Sequence, residues 1–331
     1  ERPIDNLHAY ECYLRARQQL WRWRKDAIDH AVQLLRNGLE IVGPNARLYA
    51  VLGQAHLQYR EAGVDFGEGP LLEAERCVRQ VFEGKTGCAS APGLLLRGWL
   101  HYSRARIQDA VRDLKAALEI DPNNPDTLLL LSNCYLITGK VAAARPLMGR
   151  LQAIDPLTPL TRCMPAFADL LEGHFAEAIE PYRQMFEMDP ANPMARLFYV
   201  WVLLLNGRSD AAGSILFGFP REVRDTVPAR IALFLAHARA GNPSKAQAAL
   251  PQGFETLAAG SDVFPRFLAQ GYASARLPDR AMHWLEVAVE RGFVNYPFLA
   301  RHDPFLESLR NDSRFVKLMA VVRAKWVAFE A

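Results

Sequence analysis

The sequence repeats itself with a period of 34 residues, and this period constrains the fold more than any other feature. Glycine recurs four times at this spacing, alanine five times and proline three times, and an aspartate precedes each of these prolines. The repeated residues are Gly139, Gly173, Gly207 and Gly241; Ala110, Ala144, Ala178, Ala212 and Ala246; and Pro122, Pro156 and Pro190. A period of this length is typical of architectures in which each unit packs only on its neighbours.

Each repeated residue has a physical role at its position. A glycine between two apolar periodic segments permits the left-handed turn that ends one helix and starts the next. An alanine early in the second helix lets two helix backbones approach closely. An Asp-Pro pair stops that helix, because proline lacks an N–H donor and restricts the residue before it. The sequence therefore predicts helix, tight turn, helix and stop, repeated along the chain.

The spacing resembles that of the tetratricopeptide repeat, a helical hairpin of about 34 residues. One copy reads Leu94, Gly98, Ala110, Leu114, Ala117 and Pro122, and the next reads Leu128, Leu131, Tyr135, Ala144, Met148, Leu151 and Pro156. The resemblance implies an all-α fold, a right-handed α-solenoid of about eight hairpins. A C-terminal capping helix closes the predicted solenoid.

Copies of unequal quality cover nearly the whole chain. We expect two divergent repeats in 1–90 with an insertion near 60–70, four well-phased repeats in 91–222, two degenerate repeats in 223–292 and a capping segment in 293–331. In that last segment Asp303 and Pro304 indicate an N-cap with a first-turn proline, and Asp312 or Ser313 opens the last helix. Its apolar residues share one face, which predicts one dry and one wet side; they are Phe315, Leu318, Met319, Val322 and Trp326.

The ends of the chain extend the resemblance to one bacterial subtype of the family. They carry Tyr10, Tyr13–Arg17, Asp303–Leu306, Leu309–Arg310 and Arg314–Phe315. In that subtype the repeats form the C-terminal region of multidomain signalling proteins, after a nucleotide cyclase, a protein kinase or a winged-helix module. Because the chain begins at Glu1 without an initiator methionine or a signal-peptide pattern, we expect a segment of something longer.

The charge balance gives no general attraction to polyanions. Lys and Arg number 39, and Asp and Glu number 36, a net charge of +3, so we expect neither nucleic acid nor membrane as a partner. No apolar run approaches the roughly 20 residues needed to cross a bilayer. The cysteines are odd in number and spread through helical patterns, which favours reduced, mostly buried thiols and a cytoplasmic location; they are Cys12, Cys77, Cys88, Cys134 and Cys163.

Motifs that carry chemistry are missing from the sequence. There is no phosphate-binding Gly-rich loop, no His-Glu-x-x-His, no Gly-x-Ser-x-Gly and no kinase catalytic loop. His56, His101 and His237 occupy the motif position that tyrosine holds in other repeats, which favours half-buried packing residues on separate hairpins over metal ligands. The remaining histidines show no ligand-like spacing. We therefore predict no enzymatic activity, no cofactor and no metal site.

One short segment, Trp21–Lys25, interleaves aromatic and basic residues. This composition can stack on nucleic acid bases. The favoured interpretation is the turn of the first hairpin, with packed tryptophans and basic heads that reach water.

The family resemblance also indicates where a partner would bind, because the first helix of each repeat lines the inner surface. The inner positions of four successive repeats are almost entirely apolar. The predicted partner-binding residues are Leu95, Trp99, Tyr102, Leu129, Asn133, Leu136, Phe167, Leu170, Met194, Leu197, Trp201 and Leu204, and Leu160 and Cys163 share the stripe. A clamp for a terminal carboxylate, known in this family, is disfavoured because only Asn133 matches it and lysines are absent.

Two classes of function follow. In the first, the chain is an interaction scaffold that holds an apolar or amphipathic peptide or a partner protein in an apolar groove, with aromatic residues as anchors. In the second, it is the regulatory segment of an enzyme whose catalytic domain is absent from this chain. The inner stripe is covered by a partner, by its own neighbouring repeats, or by an upstream domain of the same polypeptide. The sequence specifies neither the partner nor the oligomeric state.

Overall fold

The computed structural model describes residues 4–83, 90–217 and 223–331, and all regular secondary structure in these ranges is helical. This confirms the predicted all-α class. The chain divides into two compact units, Glu1–Leu131 and Ser132–Ala331, and the division falls inside one helix.

Unit 1 is a series of helical hairpins that encloses a core of its own. Its helices are α1 Leu7–Leu20, α2 Lys25–Val42, α3 Ala46–Glu61, α4 Gly69–Phe82, α5 Ala91–Ser103, α6 Ile107–Ile120 and the start of α7 Pro125–Ile137. The insertion expected in the second repeat is the loop between α3 and α4. Arg60 anchors that loop by donating to the carbonyls of Phe66 and Gly67. The core packs Ile28, Leu35, Leu48 and Leu57, all fully buried, between successive hairpins.

Unit 2 continues the pattern and then departs from it near the C-terminus. After the last residues of α7 come α8 Val141–Ile154, α9 Pro159–Leu171, α10 Ile179–Met188, α11 Pro193–Leu205, α12 Ser209–Phe217, α13 Val227–Arg239, α14 Pro243–Ala249, α15 Phe254–Ala258, α16 Phe264–Ser274, α17 Pro278–Glu290 and α18 Ser313–Ala328. A 3-10 turn, Ala176–Ala178, precedes α10. The short helix α15 interrupts the hairpin pattern and was not predicted.

The turns between paired helices follow the predicted chemistry. Gly139, Gly173 and Gly207 lie between the helices of their hairpins with φ of +73°, +92° and +71°, values that favour glycine. The first and third hairpins differ, since Trp23 and Ala105 take the left-handed turn position with φ of 52° and 59°. Ala105 lies one period before Gly139, so the helices impose this backbone conformation even where glycine is absent.

The alanine and Asp-Pro positions also behave as predicted. The five alanines of the period are 0–1% exposed, which places them at the closest helix contacts. Helices α6, α8 and α10 end immediately before Asp121, Asp155 and Asp189, and a proline follows each of these aspartates directly. Propensity and packing therefore agree where these three helices end.

The capping segment is also built as expected. Asp303 accepts a hydrogen bond from the backbone N–H of Phe305 (3.0 Å), and a 3-10 helix, Pro304–Leu309, follows. Asp312 accepts from the N–H of Arg314 (2.8 Å) and opens α18. On α18, Phe315, Met319 and Val322 are buried and Leu318 and Trp326 are half-buried, so the predicted dry face is confirmed.

Candidate functional site

In unit 1, the predicted inner positions lie on α5 and at the start of α7. Leu95 and Tyr102 are buried, whereas Trp99 and Leu129 are half-buried. The Nε1 of Trp99 donates to the carboxylate Oε1 of Glu61 on α3 at 2.6 Å. The polar edge of this indole is therefore satisfied inside unit 1, and its ring remains partly open to solvent.

An ion pair braces the same unit between α1 and α7. The guanidinium of Arg17 contacts both carboxylate oxygens of Asp126, with Nη1 to Oδ2 at 2.8 Å and Nη2 to Oδ1 at 3.1 Å. Arg17 also donates to the hydroxyl of Tyr13 (3.1 Å). Burial opposes the charge of Arg17, but the Asp126 carboxylate outweighs it and raises the pKa of the guanidinium. This bidentate ion pair holds α1 against the start of α7 within unit 1.

In unit 2, most of the inner positions are closed to solvent. Asn133 is half-buried, and every other predicted site residue there is buried: Leu136, Phe167, Leu170, Met194, Leu197, Trp201 and Leu204. Trp201 is only 1% exposed. The stripe predicted from the repeat register is therefore part of the hydrophobic core of this unit.

Helix α16 closes this stripe. The ring of Phe267 packs edge-on against Trp201 with centroids 5.4 Å apart, and Gln270 accepts a hydrogen bond from the indole Nε1 of Trp201 at 2.9 Å. The guanidinium of Arg266 lies over the rings of Phe167 (5.5 Å), Trp201 (4.9 Å) and Phe267 (4.6 Å). A cation held over aromatic faces is stabilised by their quadrupoles. Phe167 and Trp201 are two of the predicted anchors. Residues of α16 already contact both rings, where a partner was expected to bind.

Residues that follow α17 close the end of the stripe at α7. The backbone N–H of Val294 donates to the carbonyl of Ile137 (3.0 Å), and the side-chain amide of Asn295 donates to the carbonyl of Leu136 (2.8 Å). These bonds satisfy carbonyls in the last turn of α7, which a helix end leaves without a partner. Asn295 is buried. The alternative in which neighbouring repeats cover the inner stripe therefore describes unit 2.

The buried carboxyl group of Asp303 is hydrogen-bonded to one of the residues that close the stripe. Gln270 donates to Oδ2 of Asp303 at 2.7 Å while it accepts from Trp201, so the three side chains form one hydrogen-bonded chain. Burial raises the pKa of Asp303 to about 6, although the hydrogen bonds from Gln270 and from the N–H of Phe305 act in the opposite direction. The sequence did not indicate that Arg266, Gln270 and Asp303 contact the inner stripe, because no local pattern marks residues that are distant in sequence and meet in the fold.

The histidines of the tyrosine position are packing residues, as predicted. His56 is buried, and His101 and His237 are half-buried. Burial lowers the pKa of each of the three imidazoles. His101 lies 3.5 Å from Asp113, which Arg97 holds by two hydrogen bonds of 2.6 Å.

A group of potential ligands that the sequence did not reveal lies at the turn after α9. Atoms of Asp169, Glu172 and His174 all lie within 4.8 Å of one another. Arg145 already contacts both carboxylates, at 3.1 Å for Asp169 and closely for Glu172. One guanidinium thus offsets part of the charge of the two acids, and nothing in this arrangement requires a metal.

In the basic and aromatic segment Trp21–Lys25, the first four residues form the turn between α1 and α2, and Lys25 begins α2. Trp23 packs against the core of unit 1. Arg24 contacts the carboxylate of Asp26 by two bonds of 2.9 and 3.2 Å, and Lys25 pairs with Asp29 at 2.7 Å. These contacts favour the structural interpretation over a stacking platform for nucleic acid.

Four of the cysteines, Cys12, Cys77, Cys134 and Cys163, are buried free thiols, and Cys88 lies outside the described residues. Burial raises the pKa of Cys77 and Cys163 to about 12, which makes both thiols unreactive near neutral pH. Among the helices that the structure describes, none is long and apolar enough to span a bilayer.

The helical hairpins and their apolar first-helix faces define a class of protein, the helical-repeat proteins. The family model of the tetratricopeptide repeat matches residues 102–160 and 169–229. These two segments, which cover about a third of the chain, are similar to tetratricopeptide repeats. Proteins of this family are in general non-enzymatic scaffolds that bind other proteins.

Solved structures share the fold at low sequence identity. They include a tetratricopeptide-repeat protein from Parabacteroides merdae, 14% identical with a TM-score of 0.52, over 81% of this chain and 99% of that one. A chain of the APC/C hetero-tetramer Cut9-Hcn1 is 15% identical with a TM-score of 0.64, over 96% of this chain and 57% of that one. A Rap protein complexed with Competence and Sporulation Factor is 12% identical with a TM-score of 0.62, over 97% and 100%. No curated protein matches the sequence.

Proposed function

We propose that the chain is a protein-binding scaffold that holds a peptide or partner segment on the inner helix face of unit 1. The observation that carries this proposal is the contrast between the two tryptophans predicted as anchors. Trp99 is half-buried, whereas Trp201 is enclosed by the residues of its own unit. An aromatic residue can dominate binding only where a partner can bury it further.

The chemistry around Trp99 favours an apolar or amphipathic segment as the ligand. Its Nε1 is bound to Glu61, so the ring face is the part left for contact. This hydrogen bond also fixes the ring before binding, which reduces the entropy lost when a ligand immobilises it. Leu129, half-buried on the next first helix, continues the apolar surface. An amphipathic helix or an extended peptide with large apolar side chains fits such a face.

The proposed setting is the sensor or adaptor part of a larger bacterial signalling protein in the cytoplasm. The resemblance of the chain's two ends to such proteins supports this. So do two proteins of the same fold whose structures contain a partner, the Rap protein and the Cut9-Hcn1 assembly. In the alternative setting the chain is the regulatory segment of an enzyme, and the face of unit 1 binds the catalytic domain of the same polypeptide.

A peptide selection tests the proposal directly. The full chain is immobilised and panned against a random peptide library, with Trp99→Ala as the counter-target. We expect the enriched peptides to carry apolar residues and to bind Trp99→Ala at least tenfold more weakly, a loss of about 1.4 kcal/mol or more. Trp99→Phe, which keeps an aromatic ring, should retain part of the affinity.

The matched control is Leu72→Ala, which removes an exposed apolar side chain on α4 outside the inner face. Peptides should bind this variant as they bind the unmodified chain. Enriched peptides that bind Trp99→Ala with undiminished affinity, or a selection that enriches none, would show that the face around Trp99 is not the binding surface.

A further inference from the structure

Helix α18 presents apolar side chains to solvent on the side that the sequence predicted to be wet. Val316, Val321 and Val327 are 58%, 50% and 65% exposed. Ala320 and Ala324 are exposed as well and lie between Val316 and Val327 at helical spacing. Because residues three and four apart share a helix face, Val316, Ala320, Ala324 and Val327 form one line along α18. This line is separate from the buried face that holds the helix to unit 2.

Cations without acidic partners surround this line. Lys317, Arg323 and Lys325 are exposed, and none of them forms an ion pair with any residue that the structure describes. Arg314, at the start of the same helix, differs because Asp279 and Asp312 both bind its guanidinium at 2.7 Å. The outward face of α18 is therefore apolar along its centre and positively charged at its edges.

The opposite side of α18 is held firmly, so the outward face is preformed. Near its end, Trp326 donates from Nε1 to the carbonyl of Gly139 (3.1 Å) and stacks on Tyr296 with centroids 5.8 Å apart. The amine of Lys140 lies 5.6 Å from the indole centroid. A preorganised face loses little entropy when a partner docks on it.

We propose that the outward face of α18 is a docking surface for an acidic amphipathic helix of another protein. Valine and alanine side chains are short, which lets a second helix approach closely along the central line. The longer side chains of Lys317 and Arg323 flank this line, where they can pair with glutamates of the incoming helix as flanking charges do in coiled coils. Charge complementarity thus selects an acidic partner.

The same charges disfavour the other occupants. A second copy of α18 would bring three further cations against the three already present, and like charges at a contact are destabilising. A membrane surface would meet valines and alanines rather than the Trp, Phe and Leu that anchor interfacial helices. The proposed site is distinct from the face around Trp99, so each can fail without the other.

The test uses the full chain and two synthetic helices of about three heptads. Both probes carry the same leucine and alanine face, and their flanking positions are all glutamate in one and all lysine in the other. Fluorescence anisotropy should show that the acidic probe binds at least tenfold more tightly than the basic one, and that this preference weakens as salt rises from about 0.05 to 0.3 M.

Two double variants locate the contact. Lys317→Glu with Arg323→Glu should reverse the preference, so that the basic probe becomes the tighter ligand. Val316→Ser with Val327→Ser should weaken the acidic probe at least fivefold while the melting temperature stays the same, because these side chains are already exposed. Equal binding of both probes, no binding of either, or a preference that the charge reversal leaves unchanged would overturn the proposal.

Two further measurements separate the other occupants. Sedimentation of the chain as a dimer that Val316→Ser with Val327→Ser dissociates would assign the face to a second copy and overturn the proposal. Co-sedimentation with phosphatidylserine-containing vesicles that the same variant abolishes would assign it to a membrane, with the same consequence. We expect neither result.

Discussion

Replacing Trp201 with alanine should destabilise unit 2 severely without affecting the proposed binding face of unit 1. The indole is 1% exposed and packs against Phe267, with its Nε1 bound to Gln270. Removal of a buried tryptophan costs about 3–5 kcal/mol because it loses both burial and the contacts around the cavity. The amide oxygen of Gln270 also loses its donor inside the core, which adds to the cost. We therefore expect a loss of about 4 kcal/mol.

Urea unfolding followed by circular dichroism measures this loss. With a slope of about 2 kcal/mol per molar urea, the transition of unit 2 should move down by about 2 M. In repeat proteins, stability is approximately a sum of local terms, so unit 1 should unfold near its original midpoint and the curve should separate into two steps. Trp201→Phe, which keeps a ring and loses only the indole N–H and some volume, should cost less than Trp201→Ala.

Leu157→Ala is the matched control, because this side chain is 80% exposed in the same unit and its loss should change stability by less than about 0.5 kcal/mol. The reasoning is refuted if Trp201→Ala costs less than about 1 kcal/mol. That result would mean that the inner stripe of unit 2 is not its core.

Three more predictions rest on single positions. Gly271→Ala should destabilise unit 2 by about 2 kcal/mol or more in urea unfolding, because a Cβ there would lie 2.1 Å from the ring of Phe234. The control is Gly149→Ala, whose Cβ would meet nothing within 4 Å, so it should be neutral or stabilise the chain by up to about 1 kcal/mol. Ala105→Gly should raise the stability of unit 1 by about 1 kcal/mol, since φ of 59° strains alanine and not glycine, and thermal unfolding would show the rise. Asp303 binds its proton more tightly when folded, with a pKa of about 6 against 3.8, so stability should fall by about 2 kcal/mol as pH rises from about 4 to about 6. Asp303→Asn should lose this part of the pH dependence in urea titrations.

The sequence predicted the local structure because the local rules repeat. The turn at Gly139 needs a left-handed backbone, the buried Ala178 permits close approach, and Asp155 ends α8, and each can be identified from a window shorter than one hairpin. Ala105 shows the limit of this reasoning, since it adopts the same turn without the residue that indicates it.

The state of the inner stripe could not be predicted in this way. Trp99 and Trp201 occupy the same motif position and have the same local sequence signal, yet one is half-open and the other closed. The difference arises from Gln270, 69 residues after Trp201, and from Arg266, whose guanidinium lies over the indole. Asn295 contacts Leu136 across 159 residues for the same reason. Such contacts depend on accumulated small rotations between repeats, which no short motif specifies.

The outward face of α18 illustrates a second limit. The periodicity correctly assigned Phe315, Met319 and Val322 to the dry side. It did not indicate that Val316 and Val327 would form a second apolar line. Hydrophobic periodicity identifies the face that carries most of the apolar residues, and a few apolar residues elsewhere on the helix leave no signal of their own.

Hydroxyl-radical footprinting of the tryptophan side chains, read by mass spectrometry, tests the central claim most directly. The claim is that the chain leaves one of the two predicted tryptophan anchors open, Trp99 in unit 1, and closes the other, Trp201 in unit 2, with its own residues. We predict that Trp99 is oxidised several-fold faster than Trp201 in the native chain, and that a bound peptide from the selection protects Trp99 alone. Oxidation of Trp201 at the rate of Trp99, or protection of Trp201 by the peptide, would contradict the account.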